Sequence, residues 1–159
     1  MRPKLCPCHS SARYADCCAP YHDGLATPAT CEALMRSRYA AFALGMGAYL
    51  VQTLASEHED LALPREPLLR SLSQAKNHQR FLGLRVLHTE DHPDGGTVLF
   101  YARIFVKGQD RSFAEHSRFV REPGGLRYLG GTMLDTARLP QDPASMTLAT
   151  FEQLQTELR

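Results

Sequence analysis

The sequence predicts an α+β fold: helices first, then a four-stranded antiparallel meander with the helices packed on one of its faces. Two observations carry this expectation. Apolar residues recur at helical spacing up to about residue 77, and from residue 81 the period becomes twofold. A third feature stands apart from both. Four of the five cysteines crowd the N-terminus, as Cys6-Pro7-Cys8 and the adjacent pair Cys17-Cys18.

Taken in order, residues 1–24 form a cysteine module that closes on the turn Asp23-Gly24. Thr27-Pro28 reads as a helix start, a hydroxyl cap followed by proline. The stripe Cys31, Leu34, Met35, Tyr39, Phe42 and Met46 then gives one apolar helix face. Gly45 and Gly47 interrupt it, and Tyr49, Leu50, Thr53 and Leu54 suggest a second short helix at a new angle. The acidic run Glu57 to Asp60, with Pro64 and Pro67, marks a loop. A third helix is expected from Leu68 to about Asn77.

Four strand-like runs follow: Phe81 to Thr89, Thr97 to Lys107, Ser112 to Arg121 and Leu126 to Leu134. Hairpin-type turns at Pro93-Asp94-Gly95-Gly96, Gly108-Gln109-Asp110 and Pro123-Gly124-Gly125 separate them. The divisions expected are therefore 1–24, 25–134 and a tail, 135–159. The tail opens with prolines, can end in a helix through Phe151, Leu154 and Leu158, and is expected to cover a sheet edge.

Composition narrows the function classes. The chain has 159 residues, 43% of them apolar, and a net charge of +1, so it can build a core but offers no bulk basic field for nucleic acid. No apolar run approaches the roughly 20 residues that span a bilayer, so no membrane association is expected. Cysteines and prolines stand after Met1-Arg2-Pro3-Lys4, where a signal peptide would be apolar. A reducing cytoplasmic setting is expected, and it favours metal over disulfide for the cysteines.

The adjacent Cys17 and Cys18 can bridge each other only through a strained ring. Four thiolates on one short loop instead suit a tetrahedral Zn²⁺ held by Cys6, Cys8, Cys17 and Cys18. His9 and His22 are spare donors, His22 the better placed. A zinc with four protein ligands has no open position for water, so its expected role is structural.

In the larger domain the third strand carries the chemistry. Alternation puts Glu115 and Ser117 on the face of Phe113 and Phe119, and sends His116 to the outer, exposed face. A carboxylate under the helices needs a partner. Arg36 or Arg38, with Tyr39 beside them on the first helix, is expected to meet it. One reading is an ion pair that fixes helix against sheet. The other is a pocket for a small polar ligand lined by Arg36, Arg38, Tyr39, Glu115 and Ser117. Cys31 reads as a buried apolar residue of the helix stripe.

The same residues carry a resemblance. Cys6-Pro7-Cys8, Tyr14 and Cys17-Cys18 resemble the SEC-C zinc motif, also found at the C-terminal tail of the preprotein translocase motor ATPase. Ala33 to Phe42 looks like the signature helix of the YchJ-like family of bacterial proteins, and Glu115 to Phe119 with the Gly125 to Gly131 hairpin matches that family's strand pair. The resemblance implies a zinc knuckle followed by a nuclear-transport-factor-2-like domain, a cone of helices on a strongly curved sheet. The chain departs from the pattern at His9-Ser10-Ser11, where the motif usually has Gly-Ser-Gly. It also has no tryptophan and no second cysteine motif at its C-terminus.

The function expected is a non-enzymatic binding or adaptor module. Its zinc knuckle would contact a protein partner, and its α+β domain would hold a small ligand. By analogy with the translocase motif, which contacts an export chaperone and the ribosome, a link to protein biogenesis is implied. The alternative is a small isomerase, dehydratase or hydrolase using the cone pocket, with Glu115 as general acid or base. Single-stranded nucleic acid is a third reading. Arg2, Lys4 and Arg13 favour it locally, and the near-neutral total charge argues against it.

Overall fold

A computed structural model describes residues 2–157. The cysteine segment makes a tight hairpin, bridged at Leu5 and Arg13, then a single 3-10 turn at Tyr14–Asp16 and the short helix α1 (Ala19–His22). The long helix α2 (Cys31–Leu44) follows, then α3 (Gly47–Gln52) and α4 (Arg65–Gln74). The strands are β1 (Gln79–His92), β2 (Gly95–Val106), the two-residue β3 (Gln109–Asp110), β4 (Phe113–Glu122) and β5 (Gly125–Leu134). Helix α5 (Leu148–Thr156) ends the described chain, and Leu158 lies outside the described residues.

Helix α2 starts later than its first hydroxyl-proline pair suggests. Thr30, not Thr27, is the cap, its side chain accepting from Ala33 N at 3.1 Å. Asp91 Oδ1, at the far end of β1, accepts from Cys31 N at 2.8 Å. Two of the helix's free N–H groups are thereby met, one of them by a long-range partner that local spacing does not reveal. At the other end Gly45 adopts φ 73°, the left-handed cap that stops the helix and lets α3 leave at an angle. Helix α4 begins at Arg65, before Pro67, because proline is tolerated in a first turn.

The sheet order is β1-β2-β4-β5, antiparallel throughout, with β3 paired to β2 beside the path. The predicted turn at Gly108-Gln109-Asp110 is thus partly strand. Register shifts between Phe81 and Gly83, between Val86 and His88, and between Arg118 and Phe119 mark bulges. Each adds bend and twist, and together they curl the sheet around α2. The core between them is built from Leu34, Met35 and Tyr39 of α2 with Val98, Phe100, Ile104, Phe119 and Leu126 of the sheet.

The tail covers mainly a face of the sheet, and Gln155 also donates to Met133 O of the edge strand β5 at 2.6 Å. Phe151, 1% exposed, and Met146 pack with Leu99, Ala114 and Leu134 on the side away from α2. His116 is therefore half-buried, its ring 6.0 Å from that of Phe151. The expectation of a freely exposed His116 fails because the tail's apolar residues need a surface to cover them, and this face is apolar.

Candidate functional site

The four N-terminal sulfurs converge. The Sγ atoms of Cys6, Cys8, Cys17 and Cys18 all lie within 4.8 Å of one another. Cys8 and Cys17 are 3.6 Å apart, Cys17 and Cys18 3.9 Å. A tetrahedral ion with sulfur bonds of about 2.3 Å, the zinc value, needs sulfur–sulfur edges of about 3.8 Å. The donor set therefore fits such an ion, whereas a disulfide needs about 2.05 Å, and all five cysteines are free. Cys6, Cys8 and Cys18 are buried and Cys17 is half-buried, with Ser10 Oγ 3.2 Å from its sulfur.

Electrostatics make the cluster uneven. Hydrogen bonding with Cys6 and Cys8, then burial, pushes the Cys18 thiol far up. Bonds from Cys18 and Cys6 hold the Cys8 thiol down. One thiolate can be shared by its neighbours' protons, but four thiolates in this space need a cation.

The turn that carries the ligands adopts glycine-like geometry at two residues that are not glycine. His9 has φ 61° and Ser11 φ 73°, the left-handed conformation, at the two positions where the resembled motif places glycine. His9 is held there by its ring. Its Nε2 lies 3.2 Å from Phe81 O, and the ring meets Tyr39 edge to face at 5.8 Å.

The knuckle is sewn to the domain at three further points. Arg36 Nη1 donates to Cys8 O at 3.1 Å while its Nε pairs with Glu32 at 2.9 Å. His22 Nε2 donates to Ser37 O at 2.8 Å, which leaves Nδ1 to accept from Tyr14 Oη at 2.6 Å. Ala40 of α2 packs into the cysteine cluster, with Leu44 and Leu84 against it. Neither expected spare ligand is in the sulfur cluster, since His9 and His22 are each spent on a backbone carbonyl of the domain.

Inside the cone, α2 and the concave sheet enclose a cavity of about 290 Å³. Met35 and Phe42 of α2, Phe81 of β1, Phe100 and Ile104 of β2, and Phe113 and Phe119 of β4 give it apolar walls. Its polar end is Arg38, Glu115, Ser117 and Tyr128. Glu115 Oε2 accepts from Ser117 Oγ and, at 2.8 Å, from Tyr128 Oη. Tyr128 stands at the β5 bulge, gripped on both sides: its N–H donates to Thr53 O and its carbonyl accepts from Ala55 N, both at 2.8 Å.

The expected ion pair with Glu115 is replaced by a relay. Arg38 Nη1 donates to Leu50 O at 2.7 Å and to Thr53 Oγ1, and the guanidinium lies 4.8 Å from the Tyr128 ring centroid. Tyr128, which the strand pattern did not single out, joins the two. Burial pushes the Arg38 guanidinium down to about 10, so it stays a cation at neutral pH. Arg36 leaves the cavity altogether, because it stands two residues before Arg38, about 200° around the helix, and reaches Cys8 O of the knuckle instead. Tyr39 lines the cavity, but its hydroxyl donates to Gly83 O at 2.9 Å. Cys31 is buried and its thiol is pushed up to about 12 by burial and then by Asp91, the state of an inert core residue.

Comparison with known proteins places the chain. Residues 30–131 match the family model described as the middle NTF2-like domain of YchJ. The UPF0225 protein YchJ of Shigella dysenteriae is 37% identical over 131 residues, 81% of this chain and 83% of its own length. A UPF0225 protein of Ralstonia nicotianae is 44% identical over 121 residues, 76% of this chain and 79% of its own. The chain belongs to the YchJ-like family. Two solved structures share its fold. A SEC-C motif containing protein from Rhodopseudomonas palustris aligns with a TM-score of 0.70 at 36% identity, over 80% of this chain and 97% of that one. One from Psychrobacter arcticus aligns with a TM-score of 0.67 at 25% identity, over 98% and 97%. The YchJ-like fold is thus α+β and NTF2-like, with a cysteine cluster at its N-terminus that can hold a metal. Among the described residues no helix is long and apolar enough to cross a membrane.

Proposed function

We propose that this YchJ-like chain is a non-enzymatic binding module, with a structural zinc in its knuckle, a protein partner on the knuckle's outer rim and a small ligand in the cone. The sulfur spacing carries the zinc assignment. Thiolate-only donors at tetrahedral separation are the donor set of closed structural zinc sites. When bound, it would supply the charge that lets four thiolates coexist and would hold the hairpin against α2.

Support for the partner comes from the knuckle's two sides. Its inner side is consumed by the contacts of Arg36, His9 and His22 with the domain. Its outer side presents Leu5, 60% exposed, between Lys4 and its bridge partner Arg13, both also exposed. An apolar side chain flanked by two cations fits an acidic, apolar protein segment. The binding role of the cone is supported by an apolar cavity with a few convergent polar groups. Ser117 and Tyr128 both direct their hydroxyls at Glu115 Oε2, which fixes the carboxylate as one of those polar groups.

Metal analysis of purified wild type, Cys17→Ser and Cys31→Ser tests the reading. One zinc per chain is expected in wild type and Cys31→Ser, with loss in Cys17→Ser. Zinc retained by Cys17→Ser, or absent from wild type prepared under reducing conditions, would overturn it.

A further inference from the structure

We infer that the cone cavity selects a neutral molecule of one or two rings, whose polar end both donates and accepts a hydrogen bond, as a hydroxyl or a primary amide does. The inference rests on the ligand-binding reading above and adds the ligand's charge and shape.

Size and walls set the body of the ligand. At about 290 Å³ the cavity lies just below the roughly 300–1,000 Å³ range of ligand pockets, which limits the guest to a small molecule. Ring side chains of Phe81, Phe100, Phe113 and Phe119 offer faces and edges that favour a planar apolar guest.

Charge sets the head. Glu115 brings one negative charge to the polar end and Arg38 one positive, so the end is already balanced. A carboxylate guest would add an uncompensated anion beside Glu115, and an ammonium an uncompensated cation beside Arg38. Either ion would also lose its hydration in an apolar cavity, a cost a neutral head avoids.

The remaining bonding capacity sets the head's polarity. Glu115 uses Oε2 for both hydroxyls, and Oε1 has no hydrogen-bond partner among the described residues. Arg38 uses Nη1 for both of its bonds, and Nε and Nη2 have no acceptor among the described residues. This pair thus keeps one acceptor and two donor nitrogens for a guest, beside the amide of Gln79, which also lines the cavity. A single hydroxyl can satisfy both kinds at once, donating to the carboxylate and accepting from the guanidinium.

The test uses three probes of one shape: 2-naphthol, 2-naphthoate and 2-naphthylmethylammonium, each titrated at pH 7 into the full chain and followed by backbone amide NMR shifts. Shifts at residues 113–119 and 128 are expected, with 2-naphthol binding at least tenfold tighter than either ion. Glu115→Gln leaves Arg38 unbalanced, so in that variant 2-naphthoate should overtake 2-naphthol. An ion that binds wild type as tightly as 2-naphthol overturns the inference and leaves the ligand-binding reading standing. No shift at cavity residues with any of the three overturns both. If Glu115→Gln does not fold, the wild-type ranking decides alone.

Discussion

His9 and Tyr39 meet edge to face with ring centroids 5.8 Å apart, and through that contact the cysteine knuckle supports a wall of the cone cavity. The same histidine bonds Phe81 O, and Tyr39 also packs on Phe81, at 5.6 Å. The knuckle and the cavity are therefore one mechanical unit. Removing the metal should free His9 and loosen β1 near residues 79–84. Hydrogen exchange there is expected to speed up at least tenfold after chelation, with β5 residues under α5 unchanged. Unchanged exchange at 79–84 would show that the knuckle does not brace the wall.

Ser11 holds a left-handed conformation without the ring contacts that hold His9. Such a conformation costs a non-glycine residue about 1–2 kcal/mol, and glycine gives part of this back through its freer unfolded state. Ser11→Gly should therefore stabilise the metal-loaded protein by about 0.5–1 kcal/mol in denaturant unfolding. A loss of stability would mean that the hydroxyl has a role its exposure does not suggest.

Gly131 makes room for the Glu115 carboxylate. A Cβ at this position would stand 2.8 Å from Glu115 Oε2 and 2.9 Å from His116 O, and the second of these is backbone. Gly131→Ala should displace the carboxylate from Ser117 and Tyr128 and cost about 1–3 kcal/mol, the usual range for overpacking. Denaturant unfolding gives the cost, and a crystal structure of the variant shows the carboxylate. An undisturbed Glu115 in that variant would contradict the account of the polar end.

His116 gives the fold a pH dependence. Burial lowers its pKa, and among the charged groups around it Glu152 and Glu90 act the other way while His88 and Arg118 add to the lowering. Its buried Nε2 has no hydrogen-bond partner among the described residues. Since the folded protein binds this proton less readily than the unfolded chain, stability falls as pH drops through about 6.5 toward the lowered value. His22 shifts in the same direction, also from burial, so the contribution of His116 is read as a difference. His116→Phe should lose less stability than wild type between pH 7.5 and 5.5, and an equal loss would rule His116 out as a source.

Where local pattern decides structure, the sequence was legible. The twofold alternation correctly put Glu115 and Ser117 with Phe113 and Phe119, because strand geometry leaves no other choice once one face is buried. The break at Gly45 was readable because only a left-handed cap explains glycine there. Long-range partners were not readable. Asp91 reaches across sixty residues to the start of α2, and Thr53 and Ala55 clamp Tyr128 at a bulge. Local spacing alone puts the helix start at Thr27 and gives Glu115 an arginine partner, where the fold uses Thr30 and the hydroxyls of Ser117 and Tyr128. The face chosen by the tail depends in the same way on which apolar surface the domain leaves uncovered.

The central claim is a closed, all-sulfur centre that holds the knuckle to the domain. X-ray absorption at the metal edge of the protein purified under reducing conditions tests it most directly. The account predicts zinc with four sulfur neighbours at about 2.3 Å and no lighter atom in the coordination shell. A nitrogen or oxygen neighbour in that shell, from His9, His22 or water, would contradict it.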